Sequence, residues 1–337
     1  MSLYKLNFTA DEDMIRLLQS VGDPSKETAL AASREFAQAL QEPLRQAVLD
    51  GSIVGGVFDT MVLQPGSAPE FSLDLVTPGL EDEHVAYTIP SHGRLPQKLV
   101  EATYVMIPTF EVGSTIHIKQ KIARDARWDV MSRMMQVIEA GVVKKMNDDA
   151  FHALLAAGLD RNILVYDSDA AAGYLSKRLI SLLKVTMRRN GGGNSTSLNR
   201  RKLTHVFVSP EAMEDMRNWG LDQLADVDRA RMFAAPDGSL NGVFPGLSLV
   251  DLDELGVGQV YQTYFTSDLA GSLQASDVEL VIGANLGPNK SLVMPFRENV
   301  SIDPDDSFMH ERKIGWKAYT EYGVGILDNR DVLLGSM

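Results

Sequence analysis

The chain has no cysteine among its 337 residues. Disulfide staples, thiolate catalysis and cysteine-based zinc or iron–sulfur sites are therefore excluded, and the absence fits a reducing cytoplasm. No apolar run approaches the roughly 18 residues needed to cross a bilayer. The opening, Met1-Ser2-Leu3-Tyr4-Lys5, lacks the charged-then-apolar pattern of a signal peptide. Positive charge is in deficit, with 32 Lys and Arg against 45 Asp and Glu, a net charge of −13 and a pI near 4.9. A surface of that sign repels DNA and anionic membranes as a whole and leaves only local basic patches. The expectation is a soluble cytoplasmic protein with no membrane contact.

Catalytic signatures are missing too. There is no Gly-x-Ser-x-Gly elbow, His-Glu-x-x-His pair or Gly-x-Gly-x-x-Gly fingerprint. Gly191-Gly192-Gly193-Asn194 follows a helical pattern and lacks the Lys-Ser/Thr ending of a phosphate loop, so it reads as a linker. The histidines are His84, His92, His117, His152, His205 and His310, and no two stand at helical metal-ligand spacing. His84 sits beside acids in a loop; His117 and His205 fall in strand patterns that predict partial burial and hydrogen bonding. Asp303-Pro304-Asp305-Asp306 lacks the ligand ladder and glycine of a calcium loop and reads as a solvated turn. Arg200-Arg201-Lys202, the densest basic run, reads as a solvated turn, with a contact to nucleic acid or an acidic partner as its rival. No catalytic, cofactor-binding or metal-binding residue is assigned.

Structural signals are stronger. From about Asp125, Trp128, Met131, Met135, Ile138, Val142 and Met146 recur at steps of three and four, and Leu154 and Leu155 extend the stripe. That spacing lines one face of a helix, and about thirty residues would reach roughly 45 Å. Met131, Met134, Met135 and Met146 read as core or interface filler. Upstream lie two extended runs, Tyr104 to Phe110 and Thr115 to Ile118. Leu30, Phe36, Leu40, Leu44 and Val48 predict a helix over Ser25–Leu49 ended by Gly51, and Ile53–Leu63 reads as a strand with a bulge at Gly55-Gly56. Residues 64–102 are rich in proline, glycine and acid, a long loop of the functional or disordered kind.

Ser168 is a candidate cap for a helix carrying Tyr174, Leu175, Leu179, Leu182, Leu183 and Met187. Leu203–Val208 reads as a strand, and Ser209-Pro210-Glu211 as a helix start with cap, proline and acid in order. That helix carries Met213, Met216 and Trp219. Short strands are expected at Leu247–Leu252, Gln259–Thr266, Val278–Ile282 and Ser291–Phe296, and a long one at Ile314–Tyr322 with Trp316, Ala318 and Thr320 on one side.

This order of elements resembles the HK97-fold major capsid proteins of tailed double-stranded DNA bacteriophages. The resemblance rests on the Tyr104–Phe110 strand, the helix from Asp125 to Ala157, Val208–Met213, Leu240–Leu247, and Phe308–Tyr322 followed by Gly325–Arg330. It implies an α+β, HK97-like capsid fold. Residues 1–52 would be an N-terminal arm and 64–112 the extended E-loop. Residues 53–63, 113–165 and 297–325 would form a peripheral domain with spine helix 125–157, and 166–296 and 326–337 an axial domain. Only about 124 residues precede the spine helix, so the resemblance implies a separate scaffolding protein or none. Some members crosslink a lysine to an asparagine; Lys98, Asn289 and Asn299 stand in no motif that selects them.

The implied function is self-assembly, in pentamers and hexamers, into an icosahedral virion shell around packaged double-stranded DNA, without enzymatic activity or cofactor. The implied partners are other copies, a scaffolding protein, a portal, a decoration protein and weakly held DNA, with assembly in the host cytoplasm. An encapsulin-like nanocompartment and a soluble oligomeric enzyme are the rival readings.

Overall fold

The computed structural model describes residues 12–23, 25–64, 66–72, 104–161, 163–170, 173–190, 201–219, 246–269, 279–287, 291–305, 307 and 311–337. The helices are α1 (Glu12–Val21), α2 (Lys26–Gly51), α3 (Val54–Val57), α4 (Gln120–Arg124), α5 (Trp128–Asp160), α6 (Lys177–Asn190), α7 (Pro210–Arg217) and α8 (Val260–Tyr264). The strands are β1 (Asp59–Val62), β2 (Glu70–Ser72), β3 (Tyr104–Met106), β4 (Phe110–Lys119), β5 (Leu164–Tyr166), β6 (His205–Val208), β7 (Ser248–Asp251), β8 (Leu280–Ala284), β9 (Leu292–Asp305), β10 (Lys313–Tyr322), β11 (Gly325–Ile326) and β12 (Val332–Ser336). The chain divides into two units, one of residues 1–69, 106–150 and 293–325, the other of 70–105, 151–292 and 326–337.

In the first unit the main sheet path runs β1-β9-β10-β4, with β1 parallel to β9 and the other neighbours antiparallel. The alternation expected in β10 holds: Trp316, Ala318 and Thr320 are all buried. Phe36 of α2 packs 5.6 Å from Trp316 and edge-on to Trp128 at 6.3 Å. The α2 stripe of Phe36, Leu40, Leu44 and Val48 is buried, as is the α5 stripe of Met131, Met135, Ile138, Val142 and Met146. Residues 12–51 therefore bury a full apolar face within this unit. Each large side chain so placed contributes about 1.5–3 kcal/mol relative to exposure. The ring of Tyr322 lies between Phe110 and Phe296, and its hydroxyl donates to Asp149 on α5 at 2.8 Å.

In the second unit a mixed sheet runs β5-β12-β8-β6-β7. Strand alternation splits its side chains. Val206, Val208, Val281 and Leu333 face a core shared with Leu179, Ile180, Leu183 and Met187 of α6 and with Ala212, Met213 and Met216 of α7. From the other face, Phe207 meets Phe151 at 5.4 Å, and Phe151 stacks on Tyr261 of α8 at 5.2 Å. Gly158 permits the approach of Leu334, because a Cβ there would stand 2.6 Å from the Leu334 Cγ.

Several expectations change. The long helix begins at Trp128 rather than Asp125, because Ala126 takes a left-handed φ of 48° and breaks α4 from α5. Ile53–Leu63 is not one strand: Gly55 and Gly56 lie in the single turn α3, and only Asp59–Val62 is extended. Gln259–Thr266 is helical rather than a strand, and continues as one π-helical turn over Phe265–Leu269. The helix after Ser168 starts at Lys177, and its cap is Ser176, whose Oγ accepts from the Leu179 amide at 3.0 Å. Asp303 to Asp305 close strand β9 instead of forming a turn, with Asp305 buried beside Lys317 at 3.2 Å. His117 is exposed on β4, since it falls on the outward side of the alternation. The Ser209 cap is as expected, its Oγ accepting from the Ala212 amide at 3.1 Å.

Candidate assembly surface

Strands β2 and β3 pair as a two-stranded ribbon. Tyr104, Val105 and Met106 are 63%, 38% and 65% exposed, so an aromatic, a branched aliphatic and a methionine all stand in solvent. Immediately after the ribbon the chain is fastened. The Ile107 amide donates to the Pro69 carbonyl at 3.0 Å, and the Ile107 side chain is buried against Gly325, where a Cβ would stand only 2.2 Å from its Cδ1. Thr109 Oγ1 donates to Glu321 at 2.6 Å. A ribbon with a pinned base and an apolar outer surface is poorly suited to isolation and well suited to covering a partner.

The sheet of the first unit adds two open edges among the described residues. β1 bonds only to β9, and all four of its residues are exposed, Met61 and Val62 among them. β4 bonds only to β10 along its ten residues. Unpaired edges of this kind either aggregate or receive another chain. Proline, a common blunting device, is absent from both strands.

Electrostatics in the second unit serve the fold instead. Arg201 is buried, and its guanidinium donates to Asp328 at 2.5 Å and to Asp331 at 3.2 Å. Asp331 also accepts from Asn285 Nδ2 at 2.8 Å and Ser291 Oγ at 2.7 Å, and Asp328 accepts from Arg330. Burial acts to raise the Asp328 carboxyl. The side chain and amide of Arg330 and the charge of Arg201 outweigh it and hold that carboxyl below the ordinary range. These bonds tie the segment leading into β12 to the rest of its sheet. The Arg200-Arg201-Lys202 run thus misreads: Arg201 is neither in a solvated turn nor free to bind a polyanion. No local sequence signal marked its acidic partners, which lie 127 and 130 residues further along.

The remaining candidates do not converge. His205 is half-buried with Nδ1 3.1 Å from Thr204 Oγ1, and His152 stacks on Tyr264 at 3.8 Å. His84, His92, His310, Lys98, Asn289, Asp306 and Gly191 to Asn194 lie outside the described residues, while Asn299 lies within β9. Among the described residues no three His, Cys, Asp or Glu side chains are grouped to hold a metal ion. No described helix is long and apolar enough to cross a membrane. An open groove of about 460 Å³ in the first unit runs between Arg34, Gln38 and Gln41 of α2 and Ile302 and Asp303 of β9.

A family model described as phage capsid protein, Phage_capsid_4, matches residues 102–333. No curated protein matches the sequence. Among solved structures, one from Mycobacterium phage Bobi is 12% identical, with a TM-score of 0.53 over 85% of this chain and 89% of its own. One from Microbacterium phage Oxtober96 is 10% identical, with a TM-score of 0.54 over 85% and 90%. The capsid of Myoviridae phage XM1 is 12% identical, with a TM-score of 0.51 over 84% and 90%. At these identities the likeness is one of fold, and that fold is the HK97-like α+β capsid fold.

Proposed function

The chain belongs to the phage capsid protein family, and on that premise we propose that it is the major capsid protein of a tailed bacteriophage, assembling into an icosahedral shell that encloses packaged double-stranded DNA. The family match over residues 102–333 carries this reading, because it spans α5 and nearly all of both sheets. Residues 64–112 serve as an E-loop laid on a neighbouring copy in pentamers and hexamers; outside that segment the first unit serves as the peripheral domain and the second as the axial domain. Assembly takes place in the host cytoplasm with a separate scaffolding protein or none, and a portal and a decoration protein complete the virion shell. The function is structural rather than enzymatic.

The physical logic is multivalent. Burying the exposed part of Tyr104, Val105 and Met106 on a partner yields about 1–2 kcal/mol gross for Tyr104 and Met106 and about 1 kcal/mol or less for Val105, before ordering costs. Contacts of that size are weak alone and strong when every copy makes several at once. Acidic copies hold the genome loosely, so that it slides during packaging.

The test is a ribbon variant. Tyr104→Asp combined with Met106→Asp places two charges on the exposed surface without touching the buried Ile107 anchor. The expected result is loss of shells by electron microscopy with an unchanged circular dichroism spectrum. Shells of normal yield from that variant would remove the ribbon from the assembly surface.

A further inference from the structure

Helix α6 is out of keeping with the rest of this acidic chain. Its fourteen residues contain Lys177, Arg178, Lys184, Arg188 and Arg189 and no acid. Its inner face, Leu179, Ile180, Leu183 and Met187, is fixed in the core of the second unit. Lys177, Ser181 and Arg188 are exposed on the outer face, and Lys184, three residues after Ser181, stands half-buried at its edge. Val185, 49% exposed, lies beside Lys184 on that face.

Helix stability does not account for this pattern. Cations suit the last turn, where Arg188 and Arg189 stand, but the first turn favours acids and here holds Lys177 and Arg178. Arg178 is neutralised by ion pairs with Asp167 and Asp169. Lys184, Arg188 and Arg189 form no ion pair with any described residue, leaving three like charges within two turns. Clustered like charges repel unless a polyanion meets them.

We propose that the outer face of α6 is a binding surface for the phosphate backbone of double-stranded DNA, with Lys184, Arg188 and Arg189 as its contacts. This rests on the reading of the chain as the shell around packaged DNA, and assigns the second unit's α6 face to the inside of that shell. With a net charge of −13, the remaining surface repels DNA. A patch of three cations therefore gives contact without tight adsorption.

The test uses full-length unassembled subunits and a 30-base-pair DNA duplex of arbitrary sequence, with binding followed by fluorescence anisotropy from low salt upward. The wild type should bind weakly, with a log–log salt slope of about −2.7, about 0.9 for each of three phosphates. Lys184→Gln, Arg188→Gln and Arg189→Gln should each lower the slope by about 0.9, and the triple variant should lose binding at least tenfold. Lys119→Gln with Lys121→Gln, exposed cations of the first unit, should stay within twofold of wild type. Equal binding by wild type and triple variant, or no binding by the wild type at low salt, overturns the assignment. So does a triple variant that binds DNA normally but no longer forms capsomers, which would make α6 a contact for an acidic surface of another copy. Parallel imaging keeps the outcomes separate: shells without DNA binding reject only the α6 surface, whereas failure of every variant and of the wild type to form shells rejects the capsid reading.

Discussion

Replacing Arg201 by methionine gives the sharpest test of how the second unit is held together. The side chain is 7% exposed and binds two carboxylates, Asp328 and Asp331, the latter fully buried. Removing one partner of a buried pair costs about 3–5 kcal/mol, because the desolvated charge left behind is uncompensated. Here Asp328 keeps Arg330, and Asp331 keeps Asn285 and Ser291, so the expected loss is at the lower end, about 3 kcal/mol. That is roughly a hundredfold change in the folding equilibrium. Urea unfolding of the unassembled subunit, followed by tryptophan fluorescence, reads it, since Trp219 lies in the core of this unit. Asp331→Leu should be similarly damaging alone. Combined with Arg201→Met it should cost less than the sum by at least about 1 kcal/mol, the signature of two groups acting on each other. A loss below about 1 kcal/mol for Arg201→Met, or strictly additive single changes, would refute the network as the tie that holds β12 in place.

Two further outcomes follow from the geometry. Burial raises the Glu279 carboxyl above its ordinary value of 4.5; the Ser209 hydroxyl, donating at 2.6 Å, pulls it back, and Glu211 and Asp215 push it up further. The folded chain therefore holds this proton more tightly than the unfolded chain. Stability should fall as pH rises through the window above 4.5. Glu279→Gln, which keeps an acceptor for Ser209, should flatten that decline and melt no lower than wild type at neutral pH; a wild type that gains on the variant as pH rises would reverse the sign. Gly22→Ala should destabilise the unassembled subunit by about 1–3 kcal/mol, because a Cβ would meet the Arg124 amide nitrogen at 2.4 Å and backbone does not swing aside. An unchanged melting temperature would mean that α1 does not dock on α4 before assembly.

Much of this fold was legible where one periodicity ran unbroken. The α5 stripe and the β10 alternation each repeat long enough for the period to be read from Trp128 onward and from Ile314 onward. Ser209-Pro210 was legible for a different reason, since its cap chemistry is local. Gln259–Thr266 was not, because a short apolar and aromatic run carries no period, and packing of Tyr261 and Phe265 decided for helix. The α2 stripe was legible as a helical face, but not the surface that receives it, since Phe36 finds Trp316 some 280 residues away. The candidate assembly surface was half legible. Tyr104–Phe110 stood out as extended, but its exposure depends on where the ribbon leaves the sheet, which spacing does not encode. The burial of Arg201 is not legible in the sequence, because its acids Asp328 and Asp331 are neighbours only in space.

The most direct measurement is electron cryomicroscopy of the purified protein, expressed alone and with a candidate scaffolding protein. The account predicts closed icosahedral shells or their pentamers and hexamers, with the β2–β3 ribbon of each copy seated on an adjacent one. A single small closed oligomer under both conditions, with Tyr104 and Met106 still facing solvent, would contradict it.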